Sequence, residues 1–180
     1  MDLKKLDHIL NLMEENGTLV HAERVAMLSY ATAKEFNMYP DELETVYLAG
    51  LLHEIGKMGL PENLRQHGVK IDEIYPYVTV SMLKMIDGFE GLSEAILHHT
   101  ENVDGSGYPL GITNDEINIL SKIVKIADFY DHCRLSGMTH DETTKKIREQ
   151  SDIMFVKKLI TPFLKTIIDN DFLEEYNYMI

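Results

Sequence analysis

Apolar residues recur at intervals of three and four along most of the chain, which is the spacing of one face of an α-helix. The first such segment places Leu3, Leu6, Ile9, Leu10 and Met13 on one stripe. Strict alternation of apolar and polar positions, the pattern of a half-buried strand, is almost absent. The pattern therefore predicts an all-α fold of about seven to nine helices.

Glycine, proline and capping residues divide this pattern into segments. They predict an N-terminal helix over 1–16 and further helices over 18–37, 40–56, 71–86, 92–99, 116–135, 140–149 and 152–170, with a short helix near Leu64. Thr18 is predicted to cap the second helix and Gly56 to stop the third. The stretch from Thr100 to Asp115 is long for a connection in a compact helical domain, which favours a functional loop.

Composition restricts the class of protein. With 180 residues, of which 44% are hydrophobic and 26% charged, the chain is predicted to form a single domain over 1–180. No apolar run approaches the ~18 residues of a membrane span, and the N-terminal segment lacks the features of a secretory signal. We therefore expect a cytoplasmic protein that does not bind membranes.

Charge and cysteine content limit the ligands. The net charge of −13 argues against binding to nucleic-acid polymers, which depends on clustered Lys and Arg. A single cysteine, Cys133, excludes an internal disulfide and a Cys-rich zinc site. A bound metal ion would have to be held by histidines and carboxylates.

The candidate ligands are dispersed along the chain. They are His21, His53, Glu54, His98, His99 and Asp128. In a helical bundle each helix can present only one or two side chains to a shared centre, so a metal site there uses ligands that are far apart in sequence. The remaining histidines are predicted to be ordinary surface or core residues. These are His8, His67, His132 and His140.

Three motifs carry a resemblance to a known family. The segments LLHEIGKMGLPENL, HHTENVDGSGYP and SKIVKIADFYD resemble, in order and approximate spacing, those of the HD-GYP domains, a branch of the HD superfamily of metal-dependent phosphohydrolases. The similarity covers about residues 18–165. It implies an HD-domain helical bundle with an iron or manganese centre that hydrolyses cyclic di-GMP or a related phosphoester.

The resemblance also implies roles for individual residues. The implied metal ligands are His21, His53, Glu54, His98, His99 and Asp128. Lys57 resembles the lysine that contacts the substrate phosphate, and Glu54 the bridging carboxylate, so these two are the catalytic candidates. The segment Asp104, Gly105, Gly107, Tyr108 and Pro109 resembles the loop that borders the substrate. The implied cofactor is one or two divalent cations, Fe or Mn, with Zn as an alternative.

Three positions depart from the family pattern. Glu54 stands where the family has an aspartate, and Tyr75 where it has a ligand histidine. Gly17 stands where members with three metal ions have a glutamate, so a third ion is not implied. The implied partner is a small anionic nucleotide or phosphoester, with a regulatory protein as a further candidate.

Each assignment has an alternative. Lys57 equally fits a cation at a helix C-terminus, where the macrodipole favours it. The alternative for the loop, which is less favoured than a role beside the substrate, is a Gly-rich turn in which Gly105 and Gly107 supply positive φ angles. The departures support a second hypothesis for the whole chain, namely a degenerate HD-GYP-like module that binds a nucleotide or a partner protein without efficient catalysis.

Overall fold

The regular structure of the chain is helical. The computed structural model of the protein describes residues 3–61, 63–64 and 68–169. The helices are α1 (Leu3–Glu15), α2 (Leu19–Glu35), α3 (Pro40–Leu52), α4 (Ile55–Met58), α5 (Ile71–Leu83), a 3₁₀ turn (Glu90–Leu92), α6 (Ser93–Leu97), α7 (Ile119–Leu135), α8 (His140–Glu149) and α9 (Lys157–Asp169). In the described ranges, extended pairing is limited to isolated bridges. The all-α prediction is confirmed.

Capping interactions set the helix boundaries. Helix α8 has the predicted bounds because Thr139 and Glu142 form a capping box at its start. Helix α7 begins at Ile119 rather than near 116, since the Asn118 side chain accepts a hydrogen bond from Leu120 N–H. The short helix predicted near Leu64 falls on a segment of which only 63–64 is described, and His67 lies outside the described residues.

Two predicted helix signals have a different role. Thr18 precedes α2, but its hydroxyl donates back to the Met13 carbonyl at 3.3 Å instead of capping the helix. Helix α3 ends at Leu52, before Gly56. A Cβ at Gly56 would lie 2.5 Å from both the Tyr75 carbonyl oxygen and Thr79 Oγ1. Glycine is therefore required there because α4 packs directly against the α5 backbone.

Helix α2 lies at the centre of the molecule and packs against α3, α7 and α9. Its side chains Val25 and Leu28 are fully buried, and burial of each such aliphatic side chain stabilises the fold by about 1.5–3 kcal/mol. This packing brings the first turn of α2, the end of α3 and the middle of α7 close together. Within the described part of the chain, no helix combines the length and apolar character that a membrane crossing requires.

Candidate metal centre

Four of the predicted ligand side chains converge where these helices meet. His21 lies in the first turn of α2, His53 and Glu54 follow α3, and Asp128 lies on α7. One ligand atom from each lies within 4.8 Å of all the others. Asp128 Oδ1 is 3.3 Å from His21 Nε2 and 3.5 Å from His53 Nε2. Donor atoms bound to one ion at about 2.0–2.2 Å have separations of this size.

Three of the converging atoms lack a conventional partner. His21 Nε2, His53 Nε2 and Asp128 Oδ1 are buried, and among the described residues none of them has a partner with hydrogen-bond geometry, since the nearby His132 Nδ1 is bonded to the Asp128 carbonyl oxygen instead. Buried polar atoms in folded proteins are almost always hydrogen-bonded, so three such atoms facing one space need an explanation. A divalent cation among them would satisfy all three, and the donor set therefore fits a metal ion.

The opposite nitrogen of each histidine ring is held in place. His53 Nδ1 donates to the Gly50 carbonyl at 2.7 Å, which leaves the lone pair on Nε2. His21 Nδ1 lies 2.6 Å from Asp131 Oδ2. Metal-ligating histidines are usually held in this way by a carbonyl or carboxylate, which fixes the tautomer and the ring orientation.

Asp131 is the support on which His21 depends. It is fully buried and accepts hydrogen bonds from Arg24 Nε at 2.6 Å and from Arg24 Nη2 at 3.0 Å. Its position three residues after Asp128 allows either a supporting role beside the site or exposure to solvent. Its burial and its bond to His21 agree with the supporting role.

The electrostatics of the cluster are dominated by its carboxylates. Burial disfavours a charged His21, but Asp128 and Asp131 outweigh it and raise the pKa of His21 to about 9. Burial likewise opposes ionisation of Asp128, but the imidazoles of His132, His21 and His53 beside its carboxylate hold its pKa well below the usual range. A metal ion must therefore displace a proton from His21, which couples metal binding to pH.

The paired histidines lie apart from this cluster. His98 ends α6 and, within the described residues, belongs neither to the cluster nor to the cleft beside it. His99 is buried next to His53, with 5.2 Å between ring centroids, but its Nε2 lies 2.8 Å from the Tyr75 hydroxyl. Burial, with a smaller contribution from His53, lowers the pKa of His99 to about 3. Burial and the nearby carboxylates raise the pKa of Tyr75, so both groups are neutral.

A cleft of about 230 Å³ opens beside the cluster. The side chains that border it include Glu54, Lys57, Tyr75, Tyr108, Lys125 and His132. Lys57 Nζ forms an ion pair with Glu54 and lies 4.5 Å from the centroid of the Tyr75 ring. Lys125 Nζ donates to the Thr100 carbonyl at 3.2 Å, and burial lowers the pKa of Lys125 to about 8. Two cationic side chains therefore face an acidic cluster.

Sequence reasoning missed Lys125 and His132. His132 Nδ1 lies 2.8 Å from Asp128 Oδ1, although His132 was predicted to be an ordinary histidine. Their positions, three residues before and four after Asp128, place both on the same face of α7 as that ligand candidate. Their helical spacing from Asp128 is the sequence signal that could have identified them.

The loop after the paired histidines folds back on itself. Asp104 is exposed and accepts hydrogen bonds from Ser106 N–H and Oγ, at 2.9 and 2.6 Å. Gly105 has φ +83°, as predicted for a turn, but Gly107 is required for space, since a Cβ there would lie 2.1 Å from the Asn102 nitrogen. Tyr108 borders the cleft, and a cis peptide bond joins it to Pro109.

Comparisons with known proteins agree with the motifs. The family model described as "HD domain" matches residues 7–155. The 3'3'-cGAMP-specific phosphodiesterase 1 of Vibrio cholerae is 35% identical over 120 residues, which cover 63% of this chain and 28% of that protein. The cyclic di-GMP phosphodiesterase of Thermotoga maritima is 30% identical over 178 residues, which cover 87% of this chain and 47% of that protein. These matches confirm the predicted resemblance.

A solved structure supports the fold. The crystal structure of a cyclic GMP-AMP specific phosphodiesterase of V. cholerae superposes with a TM-score of 0.72 at 14% identity, covering 88% of this chain and 48% of that chain. At this identity the likeness shows the fold alone, and it confirms the HD-domain helical bundle. The chain spans between about a quarter and a half of the length of the two curated relatives.

Proposed function

The chain belongs to the HD domain family, and from this premise we propose that it is a metal-dependent phosphodiesterase acting on a cyclic dinucleotide or a related phosphoester. The observation that carries the proposal is the convergence of one donor atom from each of His21, His53, Glu54 and Asp128 beside a cleft bordered by two lysines. Relatives named as phosphodiesterases of cGAMP and of cyclic di-GMP support the substrate class.

The residues that would hold the metal are His21, His53, Glu54 and Asp128. Two imidazole nitrogens and two carboxylates, without sulfur, suit Fe or Mn, with Zn as an alternative. A divalent ion bound there supplies a nucleophilic water at neutral pH and offsets the negative charge of a phosphate. Asp131 keeps His21 in the tautomer that this role requires, because its carboxylate accepts the Nδ1 proton.

Lys57 and Lys125 would bind the phosphate oxygens. Both lysines border the cleft. Each can donate to a non-bridging phosphate oxygen as a point charge. Lys125 is held by the Thr100 carbonyl, so it is oriented before substrate binds. Burial lowers the pKa of Lys125, and the single negative charge of a nearby phosphodiester group would raise that pKa again and favour the charged ammonium.

The shape of the site suits an elongated ligand. The cleft of about 230 Å³ is smaller than the roughly 300–1,000 Å³ of pockets that enclose a drug-sized molecule. A neighbouring cleft of about 490 Å³ shares Asp72 and Tyr108 with it. One phosphodiester of a cyclic dinucleotide would lie at the metal, and the rest of the ligand would extend past Tyr108 into the second cleft.

The proposal is tested by metal analysis combined with turnover. We expect purified protein reconstituted with Mn²⁺ or Fe²⁺ to hold at least about one ion per chain and to hydrolyse cyclic di-GMP, cGAMP or a generic aryl phosphodiester. Asp128→Ala should lose both metal and turnover, whereas His140→Ala, a histidine that instead contacts Tyr130, should keep both. Wild-type protein that takes up no metal ion during reconstitution and shows no turnover of any of these substrates would refute the proposal.

A binding role without efficient catalysis is the second candidate function. Two contacts favour it, because the Lys57 ammonium is paired with Glu54 and the His99 lone pair faces the Tyr75 hydroxyl. Titration calorimetry with the same cyclic dinucleotides distinguishes the two functions. Tight binding of an intact ligand by the Mn²⁺-loaded protein, with no product after long incubation, would favour the binding module.

A further inference from the structure

A buried tyrosine and a buried histidine form a pair at the edge of the metal cluster. Tyr75 is 3% exposed and His99 is 1% exposed. The Tyr75 hydroxyl lies 2.8 Å from His99 Nε2. The His99 ring also stands edge-on to His53, at 5.2 Å between centroids. His99 is therefore near enough to a ligand residue to extend the cluster, yet it is not one of the four converging donors.

The direction of its hydrogen bonds explains why His99 is not part of the four-residue cluster. His99 Nδ1 lies 2.5 Å from the Ile96 carbonyl oxygen, and since a carbonyl can only accept, Nδ1 carries the proton. The lone pair of the neutral ring is then on Nε2, where it accepts the Tyr75 O–H. The nitrogen that would bind a metal ion is thus already occupied by a hydroxyl donor.

One oxygen of the Glu54 carboxylate is also engaged. Glu54 has one carboxylate oxygen, Oε2, 3.9 Å from His21 Nε2, while Oε1 pairs with the Lys57 ammonium. That ammonium lies over the Tyr75 ring, at 4.5 Å from its centroid. Tyr75 therefore contacts His99 directly and is linked to Glu54 through Lys57.

We infer that Tyr75 confines the centre to a single divalent ion by occupying His99 Nε2. The inference rests on the proposed function, because it requires that the cluster of His21, His53, Glu54 and Asp128 binds a metal ion. His99 then serves as a buried wall of the site and not as a ligand, and the phenol of Tyr75 acts as a positioning group that keeps it there.

The first test reads each histidine separately. Imidazole ¹⁵N spectra of wild-type protein are recorded during titration with Zn²⁺, a diamagnetic probe. We expect the Nε2 signals of His21 and His53 to move to metal-bound positions at one equivalent, and the His99 Nε2 signal to remain at that of a hydrogen-bonded acceptor up to several equivalents. A metal-bound His99 Nε2 signal in the wild-type protein would overturn the inference.

The second test removes or replaces the hydroxyl. Tyr75→Phe keeps the ring and frees the His99 lone pair, and Tyr75→His adds a donor in the same space. We expect Mn²⁺ bound after equilibrium dialysis to rise from about one per chain in the wild type towards two in Tyr75→His, with spin coupling between the ions in the electron paramagnetic resonance spectrum. In Tyr75→Phe the Zn²⁺ titration should shift His99 Nε2.

A matched control exists in the same chain. Tyr130 is buried and its hydroxyl lies 3.1 Å from His140 Nδ1, so Tyr130→Phe removes a hydroxyl from another tyrosine and histidine pair. It should leave the Mn²⁺ stoichiometry at the wild-type value. Unchanged stoichiometry in folded Tyr75→His, or an unshifted His99 in folded Tyr75→Phe, would overturn the inference, so either variant is sufficient if the other folds poorly.

These outcomes separate the inference from the function on which it rests. If His21 and His53 do not respond to Zn²⁺, the metal centre itself is refuted, and the inference falls with it. If they respond and His99 responds as well, the metal-dependent function stands and the role of Tyr75 is refuted. Neither readout depends on catalytic turnover.

Discussion

Replacement of Asp131 by asparagine tests how the metal centre is supported. The Asp131 carboxylate accepts three hydrogen bonds: Arg24 Nε on Oδ1, and Arg24 Nη2 and His21 Nδ1 on Oδ2. Asp131→Asn keeps the size of the side chain but has one acceptor oxygen and one amide that only donates. In either orientation the amide faces a donor, which is Arg24 Nε in one case and both His21 Nδ1 and Arg24 Nη2 in the other.

The cost follows from burial of the pair. Arg24 is 3% exposed and Asp131 is fully buried, so the substitution leaves an arginine charge in the interior with its main counter-charge removed. Loss of one partner of a buried ion pair costs about 3–5 kcal/mol. Loss of the group that orients a ligand histidine lowers metal affinity about 10- to 100-fold. We expect both effects in Asp131→Asn, the first on stability and the second on binding.

The two effects are measured independently. Urea unfolding of the metal-free protein gives the free energy of unfolding, and competition with a fluorescent chelator gives the Mn²⁺ affinity. Asp87→Asn is the control, since Asp87 is exposed and such surface changes stay within about 0.5 kcal/mol. Mn²⁺ affinity equal to that of the wild type, in a variant that is clearly destabilised, would refute the argument that Asp131 orients His21.

Three further predictions follow from the same contacts. The pKa of about 9 for His21 lies above its unfolded value of about 6.5, so its contribution to the stability of the metal-free protein is complete below pH 6.5 and is lost as the pH rises to 9. The pKa of about 3 for His99 lies below that value, so its contribution is lost as the pH falls below 6.5. The free energy of unfolding of the metal-free protein, measured with urea across the pH range, should therefore be highest near about pH 6.5. Gly56→Ala should lower the free energy of unfolding by about 1–3 kcal/mol or more, since its Cβ would overlap the α5 backbone, and an unchanged urea midpoint would contradict this packing. Lys125→Met should raise KM for the phosphodiester at least tenfold with a smaller change in kcat, and a KM equal to that of the wild type would exclude a phosphate contact.

Local sequence signals account for most of the fold. The capping box at Thr139 and the apolar period of α8 are contained within a few consecutive residues, so the helix was predicted with its correct bounds. The break between α3 and α4 was not predicted; Gly56, which was expected to end the third helix, instead lies within α4, where its N–H donates to Thr79 Oγ1, 23 residues away in sequence. Distant packing of this kind leaves no periodic signal.

The same distinction applies to the site. The motifs identified His21, His53, Glu54 and Asp128 as candidates, and the structure brings them together because α2, α3 and α7 pack against one another. No motif indicated that the Tyr75 hydroxyl meets His99. That contact depends on how α5 lies against α6, which is a property of the packed helices.

The charges around the cluster link metal binding to substrate binding. In the metal-free protein, protonated His21 and the Lys57 ammonium balance the carboxylates of Glu54 and Asp128. If a divalent ion were held by these residues, its charge would take over that balance; His21 would give up its proton and Glu54 would no longer need Lys57 as its counter-charge. Lys57 would then be available to a phosphate group of the proposed substrate. We therefore expect an anionic phosphodiester to bind the metal-loaded protein more tightly than the metal-free protein, and Lys57→Met to remove most of that difference.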